Sequence, residues 1–259
     1  MKKLSIITIC YNSPNLRATC ESIANQSMQD FEWIVIDGGS KSETLAIFEQ
    51  YKWRIDKFIS EPDNGIYDAY NKGTKLAIGG GYLNFMNAGD SFYDDKVLER
   101  FVAYNSNADI CFGNVNIVYD NKEKVIIYPD FAPFWADGTF LIGDNINTQS
   151  AFIKRELFDK YGLFDTQYKI ASDYDRWLKF CAEGRTFCHL PFVVANYDMS
   201  GISSIGETRE LGLKEKSKIQ QNYFSQRRIY IAKAQYFIFR VIRKLKNMAR
   251  YYTRRSAKI

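Results

Sequence analysis

Short apolar runs alternate along the chain with stretches of helical period. Leu4–Cys10 is an apolar run of strand length, and residues 16–26 follow with Leu16, Cys20 and Ile23 on one helical face. The unit then recurs. Residues 31–36 read as a strand ending in Asp37-Gly38-Gly39-Ser40, 44–51 as a helix, and Lys57–Ser60 as a short third strand. A helix over 66–78, a fourth strand over 82–86 and a helix over 94–103 complete this half. Strands alternating with helices predict an α/β fold, a Rossmann-like, mostly parallel sheet with helices on both faces.

Beyond residue 109 the texture changes. Ile110–Tyr119 and residues 125–128 read as strands, 156–161 and 173–182 as short helices, 187–194 as a strand, and 210–252 as one or two helices. The expected organisation is one domain over 1–206, divided into a nucleotide-binding half (1–108) and an acceptor half (109–206), with a helical extension over 207–259.

Composition narrows the reading. The 259 residues suit one large core, and 46% apolar with 25% charged residues is ordinary globular usage. The five cysteines lack any C-x-x-C spacing, which points away from a disulfide framework or a zinc site and towards a reducing compartment. The opening MKKLSIITICYN has too short an apolar run for a signal-peptide core or a membrane span. The net charge of +5 is unevenly placed: residues 227–259 hold eleven Lys or Arg and no acid, leaving −6 on the first 226. An acidic body argues against nucleic acid as a partner.

The blocks SIITICYN, IDGGSKSET, SEPDNGIYDAYNKG, FMNAGD and IASDYD occur in that order over about residues 4–204. In order and spacing they resemble family 2 glycosyltransferases, and SEPDNGIYDAYNKG resembles the subgroup that builds bacterial exopolysaccharide and O-antigen repeats. The resemblance implies a GT-A fold, a nucleotide-diphosphate sugar donor, Mg2+ or Mn2+, and inversion at the anomeric carbon. It also implies a glycan or lipid-linked acceptor.

Open parallel sheets bind nucleotides beyond the C-terminal ends of their strands, where these blocks fall. By the resemblance, donor contacts are expected from Thr8, Tyr11, Asn12, Asp37, Gly38, Asp63, Asn64, Gly65, Asp68, Asn71, Lys72, Asn87 and Ala88. Taken alone, Asp37-Gly38-Gly39-Ser40 is equally a turn with a helix cap. A departing diphosphate needs a counter-ion, and Asp90 stands at the metal position of the family's Asp-x-Asp, with Asn87 in place of the first acid and Asp198 as a further contact. Asp173 stands where the family has its general base, with Asp175 as fallback and acceptor-side candidate beside Trp135 and Gln149. Trp135 and Phe134 serve equally as core packing. Thr148 replaces a histidine common in relatives, and the single histidine, His189, reads as a satisfied core residue.

In residues 231–252, Ile231, Ile238, Val241, Ile242, Leu245, Met248, Ala249 and Tyr252 share an arc of roughly 120°, with basic residues on the other side. This suits a peripheral enzyme at the inner, anionic face of a cytoplasmic membrane, and equally a helix packed on protein. Competing functions are a nucleotidyltransferase, disfavoured by the absence of a phosphate loop after strand one, and a silent nucleotide-sugar-binding subunit, suggested by Asn87 and Thr148. G-x-G-x-x-G after the first strand is also missing, against a dinucleotide dehydrogenase.

Overall fold

The computed structural model describes residues 4–78, 81–119, 122–129, 137–199 and 206–256, with side chains as far as Leu245. Among the described residues nine strands form one sheet: β1 (Leu4–Cys10), β2 (Glu32–Asp37), β3 (Lys57–Ser60), β4 (Tyr82–Phe85), β5 (Ser91–Phe92), β6 (Ile110–Tyr119), β7 (Lys122–Ile126), β8 (Ala151–Lys154) and β9 (Phe187–Asp198). Their order is β3-β2-β1-β4-β8-β6-β9-β5, with β7 beside the distal half of β6. β1 to β4 are mutually parallel, and β6 and β9 run the same way. β8, β7 and β5 oppose them.

The apolar run of β1 is buried at every position because both faces of the sheet are covered. Ile7 and Ile9 join Ile34, Ile36, Tyr67, Tyr70 and Phe85 on one side. Leu4, Ile6 and Cys10 join Trp33, Val35, Leu16, Cys20 and Phe48 on the other. The helices doing this are α1 (Leu16–Ala24), α2 (Ser42–Gln50) and α4 (Val97–Tyr104) on the second face and α3 (Ile66–Leu76) on the first. Gly73 of α3 lies against Ile7, where an added Cβ would fall 2.4 Å from its Cγ2, so glycine sets how closely α3 approaches the sheet.

Three elements were not expected: β5, the helix α5 (Thr139–Gly143), and β8, which enters antiparallel between β4 and β6. The strand expected at 125–128 instead spans Lys122–Ile126, and β9 continues to Asp198. Helices α6 (Arg155–Tyr161) and α7 (Ser172–Ala182) follow β8, and the extension forms two helices, α8 (Gly206–Tyr223) and α9 (Gln226–Ser256). α8 lies along α7, and α9 docks on α5 through Ile229, Ala232 and Tyr236. The extension is therefore part of the packed body.

Candidate active site

The loops after β1, β2 and β3 meet at one end of the sheet. Asn12 adopts a left-handed conformation (φ 47°), accepts the Lys41 N–H on Oδ1 and donates its own N–H to Ser40 Oγ, lacing the first two loops together. Asparagine tolerates that conformation better than most residues. A Cβ on Gly38 would fall 2.5 Å from Asp63 Oδ2 and 3.4 Å from the Tyr11 ring, so Tyr11, Gly38 and Asp63 converge from three strand ends. Tyr11 is 66% exposed there. Asp37 Oδ2 accepts from the N–H groups of Gly39 and Ser40 and from Ser60 Oγ, while buried Oδ1 has no partner among the described residues.

The loop before α3 is self-braced. Asp63 accepts the Gly65 N–H, Asp68 accepts the Asn64 N–H, and Lys72 pairs with Glu61 at 2.8 Å and Asp68 at 3.7 Å. Gly65 holds φ 111°, open to glycine and strained for other residues. Two expected donor contacts lie elsewhere. Thr8 is fully buried and accepts Trp33 Nε1–H within the core. Asn71 is tied through both amide atoms to the backbone of Phe164, because a buried amide needs fixed partners.

The turn after β4 holds Asn87, Ala88, Gly89 and Asp90. Thr19 of α1 fixes it, donating to the Asp90 carbonyl and accepting the Gly89 N–H. The Ala88 N–H reaches the Ile9 carbonyl, and Asn87 Oδ1 accepts the Tyr70 hydroxyl at 2.6 Å. Pairing of β5 with β9 delivers Asp198 to this turn, and its N–H donates to Asp90 Oδ1 at 2.9 Å. Asp198 Oδ2 in turn accepts from Asn15 Nδ2.

One short helical turn, Thr148–Ser150, joins the two carboxylates of interest. Gln149 Nε2 donates to Asp90 Oδ2 at 2.7 Å, and Thr148 Oγ1 donates to Asp173 Oδ2 at 2.8 Å. Asn84, buried in β4, holds this turn by donating to the carbonyls of Gln149 and Ala151. The Tyr67 hydroxyl lies 3.0 Å from Asp173 Oδ1 and 2.7 Å from the Ile170 carbonyl. Burial, and then the Asp173 charge, hold Tyr67 well above the usual phenol range, so it remains a donor. Glu215 of α8 accepts three consecutive N–H groups, of Lys169, Ile170 and Ala171, immediately before the helix that carries Asp173.

Asp173 opens on a cleft of about 360 Å³ lined also by Tyr67, Tyr70, Asn87, Gln149 and Tyr197, with Arg209, Leu213 and Lys216 of α8 on its outer wall. Asp175 does not reach it. Buried, it pairs with Arg176 at 2.5 Å and accepts the Tyr223 hydroxyl, because two residues along a helix turn the side chain away. Trp135 and Phe134 lie outside the described residues. His189 is partly buried and bonded to Asn114 Oδ1, a structural position.

Burial pushes the Asp90 carboxyl up to about 7, against the lowering by the Asp198 N–H and the Gln149 amide, while the Asp198 charge raises it further. A neighbouring carboxylate whose charge raises the proton affinity of Asp90 would also favour a cation there. The described residues contain no cluster of three or more His, Cys, Asp or Glu that could hold a metal. Mg2+ and Mn2+ can be held by one or two carboxylates, with phosphate and water completing the shell. Tyr67 and Tyr70 were not singled out from sequence. Their spacing of three on one helix, within a quoted block, was the available signal.

Comparisons with known proteins follow the same lines. Residues 5–162 match the family model described as Glycosyl transferase family 2. A PGL/p-HBAD biosynthesis glycosyltransferase of Mycobacterium bovis is 31% identical over 198 residues, 72% of each chain. An uncharacterised glycosyltransferase of Rickettsia typhi is 30% identical over 68% of this chain and 58% of its own. S. aureus TarS 1–349 in complex with UDP superposes with a TM-score of 0.70 at 18% identity over 91% of this chain and 70% of its own. A Pyrobaculum calidifontis mannosyltransferase with GDP-Man and Mn2+ gives 0.56 at 19% identity, over 75% and 56%. These structural likenesses show a shared fold of the GT-A kind.

Proposed function

Because the chain belongs to glycosyl transferase family 2, we propose that it is an inverting transferase moving a sugar from a nucleotide-diphosphate donor to an acceptor hydroxyl. The observation that carries this reading is the Thr148–Ser150 turn, which ties Asp90 and Asp173, 83 positions apart in sequence, to adjacent residues. Asp173 lines the cleft, and Asp90 lies behind it, bonded to Gln149 of the cleft wall. Structures with bound UDP and with GDP-Man and Mn2+ on the same fold support a nucleotide-sugar donor and a divalent cation.

The base and ribose lie over Tyr11, Gly38 and Asp63, on loops that Asp37 Oδ2 holds through Gly39, Ser40 and Ser60. Asp90, with Asp198, would hold Mg2+ or Mn2+, which when bound neutralises charge on the departing diphosphate. Asp173 takes the proton of the acceptor hydroxyl as its oxygen attacks the anomeric carbon. The bond from that carbon to the diphosphate breaks on the opposite side, so a single displacement inverts configuration. Thr148 and Tyr67 hold the carboxylate in place for this transfer. The acceptor in this reading is a lipid-linked glycan of bacterial surface polysaccharide assembly, met at the inner face of the cytoplasmic membrane.

Asp173→Asn tests the assignment. Nucleotide-sugar binding, read as metal-dependent thermal stabilisation, persists in the variant, while transfer falls by on the order of 10²-fold or more. Transfer at the wild-type rate moves the base elsewhere. Absence of stabilisation by any nucleotide sugar in the wild-type protein overturns the function itself.

A further inference from the structure

The outer wall of the Asp173 cleft is one face of α8. Arg209, Gly212, Leu213 and Lys216 line it at positions i, i+3, i+4 and i+7, the spacing of a single helical stripe. Gly212 brings the stripe close: an added Cβ would lie 3.0 Å from Ile170 Cγ2, three residues before Asp173. Neither cation has an ion pair among the described residues. Lys216 Nζ lies 5.3 Å from the Tyr174 ring, which holds the ammonium against the cleft wall. Leu213, 62% exposed, stands between the two charges.

This arrangement is unusual for its surroundings. The first 226 residues carry a net charge of −6, yet the wall facing the base presents two cations, and among the described residues Asp173 is the only acid lining the cleft. In the proposed function the donor diphosphate belongs to Asp90, which is not among the residues lining this cleft. A positive wall facing the base therefore acts on whatever carries the attacking hydroxyl.

We propose that the acceptor is anionic, with a phosphate or carboxylate group close to its reactive hydroxyl, and that Arg209 and Lys216 bind that group while Leu213 receives an adjoining apolar part. The proposal rests on the glycosyltransferase reading for the word acceptor. The anion site itself can be tested without turnover. Seven residues of helix separate the two Cα atoms by about 10 Å, a gap that two long side chains close on one group from either side of Leu213. Guanidinium and ammonium together suit a phosphate or a carboxylate through charge-assisted hydrogen bonds.

The test uses the full-length protein with octyl phosphate, octyl β-D-glucuronide and octyl β-D-glucoside as probes, measured by calorimetry, in wild type, R209A/K216A and R209K/K216R. Arg209 is exposed and Lys216 partly so, and melting temperatures check that the variants fold. The expected result is a preference of the wild type for a charged over the neutral octyl probe of roughly tenfold to hundredfold. That preference should shrink with added salt, vanish in the alanine pair and persist in the charge-retaining pair. Octyl phosphate against octyl glucuronide separates a lipid-phosphate acceptor from an acidic-sugar one. Equal affinity for charged and neutral probes, no binding of any, or a preference that survives R209A/K216A overturns the proposal. Nucleotide-sugar stabilisation of the same preparations reports separately on the glycosyltransferase reading.

Discussion

Asp90 shows how a single residue records its missing charge balance. A carboxyl whose folded value is raised to about 7 from 3.8 keeps its proton in the folded chain while the unfolded chain releases it. Between roughly pH 4 and 7 the folded state therefore binds more protons, and stability of the metal-free protein falls as pH rises through that window. A shift of this size corresponds to about 4 kcal/mol. Asp90→Asn removes the buried charge; Gln149 can turn its amide oxygen towards the new Nδ2 and keep the contact. In chelator, the variant should be more stable than wild type at pH 8 and about equal at pH 4, and it should lose the stabilisation given by Mg2+ or Mn2+. Parallel stability curves for the two proteins would show that Asp90 is not the titrating group. Sequence pointed to Asp90 and Asp173 because the blocks around them are local. It could not reveal that Thr148, noted only as a replaced histidine, donates to Asp173, since that bond spans 25 positions and depends on β4 holding the turn.

At the scale of elements, those whose pattern is local were legible: β1, β3 and β6 begin and end where the apolar runs do. β8 was not, because four residues, Ala151–Lys154, have no periodicity of their own and become a strand only between β4 and β6. Nor was the dependence of α7 on α8. The N-cap position of α7 is Ala171, which has no side-chain acceptor, and Glu215 from α8 instead holds the chain entering the helix through the amides of Lys169, Ile170 and Ala171. An unsatisfied buried N–H costs about 1–3 kcal/mol, and Glu215 satisfies one buried and two part-buried N–H groups, which makes it a structural anchor for the helix that carries Asp173. Glu215→Ala should destabilise the protein by at least about 2 kcal/mol, and should speed hydrogen exchange at the amides of 169–171. Transfer should fall more than donor binding, since Asp173 is displaced while the loops of Tyr11, Asp37 and Asp63 are untouched. Unchanged exchange at those three amides would refute the anchor.

For the whole molecule, the docking of α9 decides what its apolar stripe can do. Ile229, Ala232 and Tyr236 face α5, and the Tyr236 ring fills the space where a Cβ on Gly143 would sit. On the same side Arg243 donates to the Ile127 carbonyl, and Arg228 is committed to Asp137 and Thr139. Ile231, Ile238, Val241, Ile242 and Leu245, the described part of the arc expected from sequence, are 42–59% exposed and point away from the body. Among the described residues no helix is long and apolar enough to cross a membrane, so the stripe suits an interface rather than a span. A chain ending at Arg227 would expose α5 and confuse binding with unfolding. Substituting the stripe is the cleaner test: Ile238→Gln, Ile242→Gln and Leu245→Gln together remove apolar surface that is 46–59% exposed. The triple variant should melt near the wild-type temperature and lose co-sedimentation with anionic vesicles by on the order of tenfold or more, given about 1.5–3 kcal/mol for each fully buried side chain. Wild-type binding should prefer anionic to neutral vesicles and weaken with salt, because each Lys or Arg near the surface adds about 1 kcal/mol. If the two proteins pellet equally, the stripe is not a membrane face, and concentration-dependent self-association of wild type alone, read by sedimentation velocity, would assign it to a second copy of the chain.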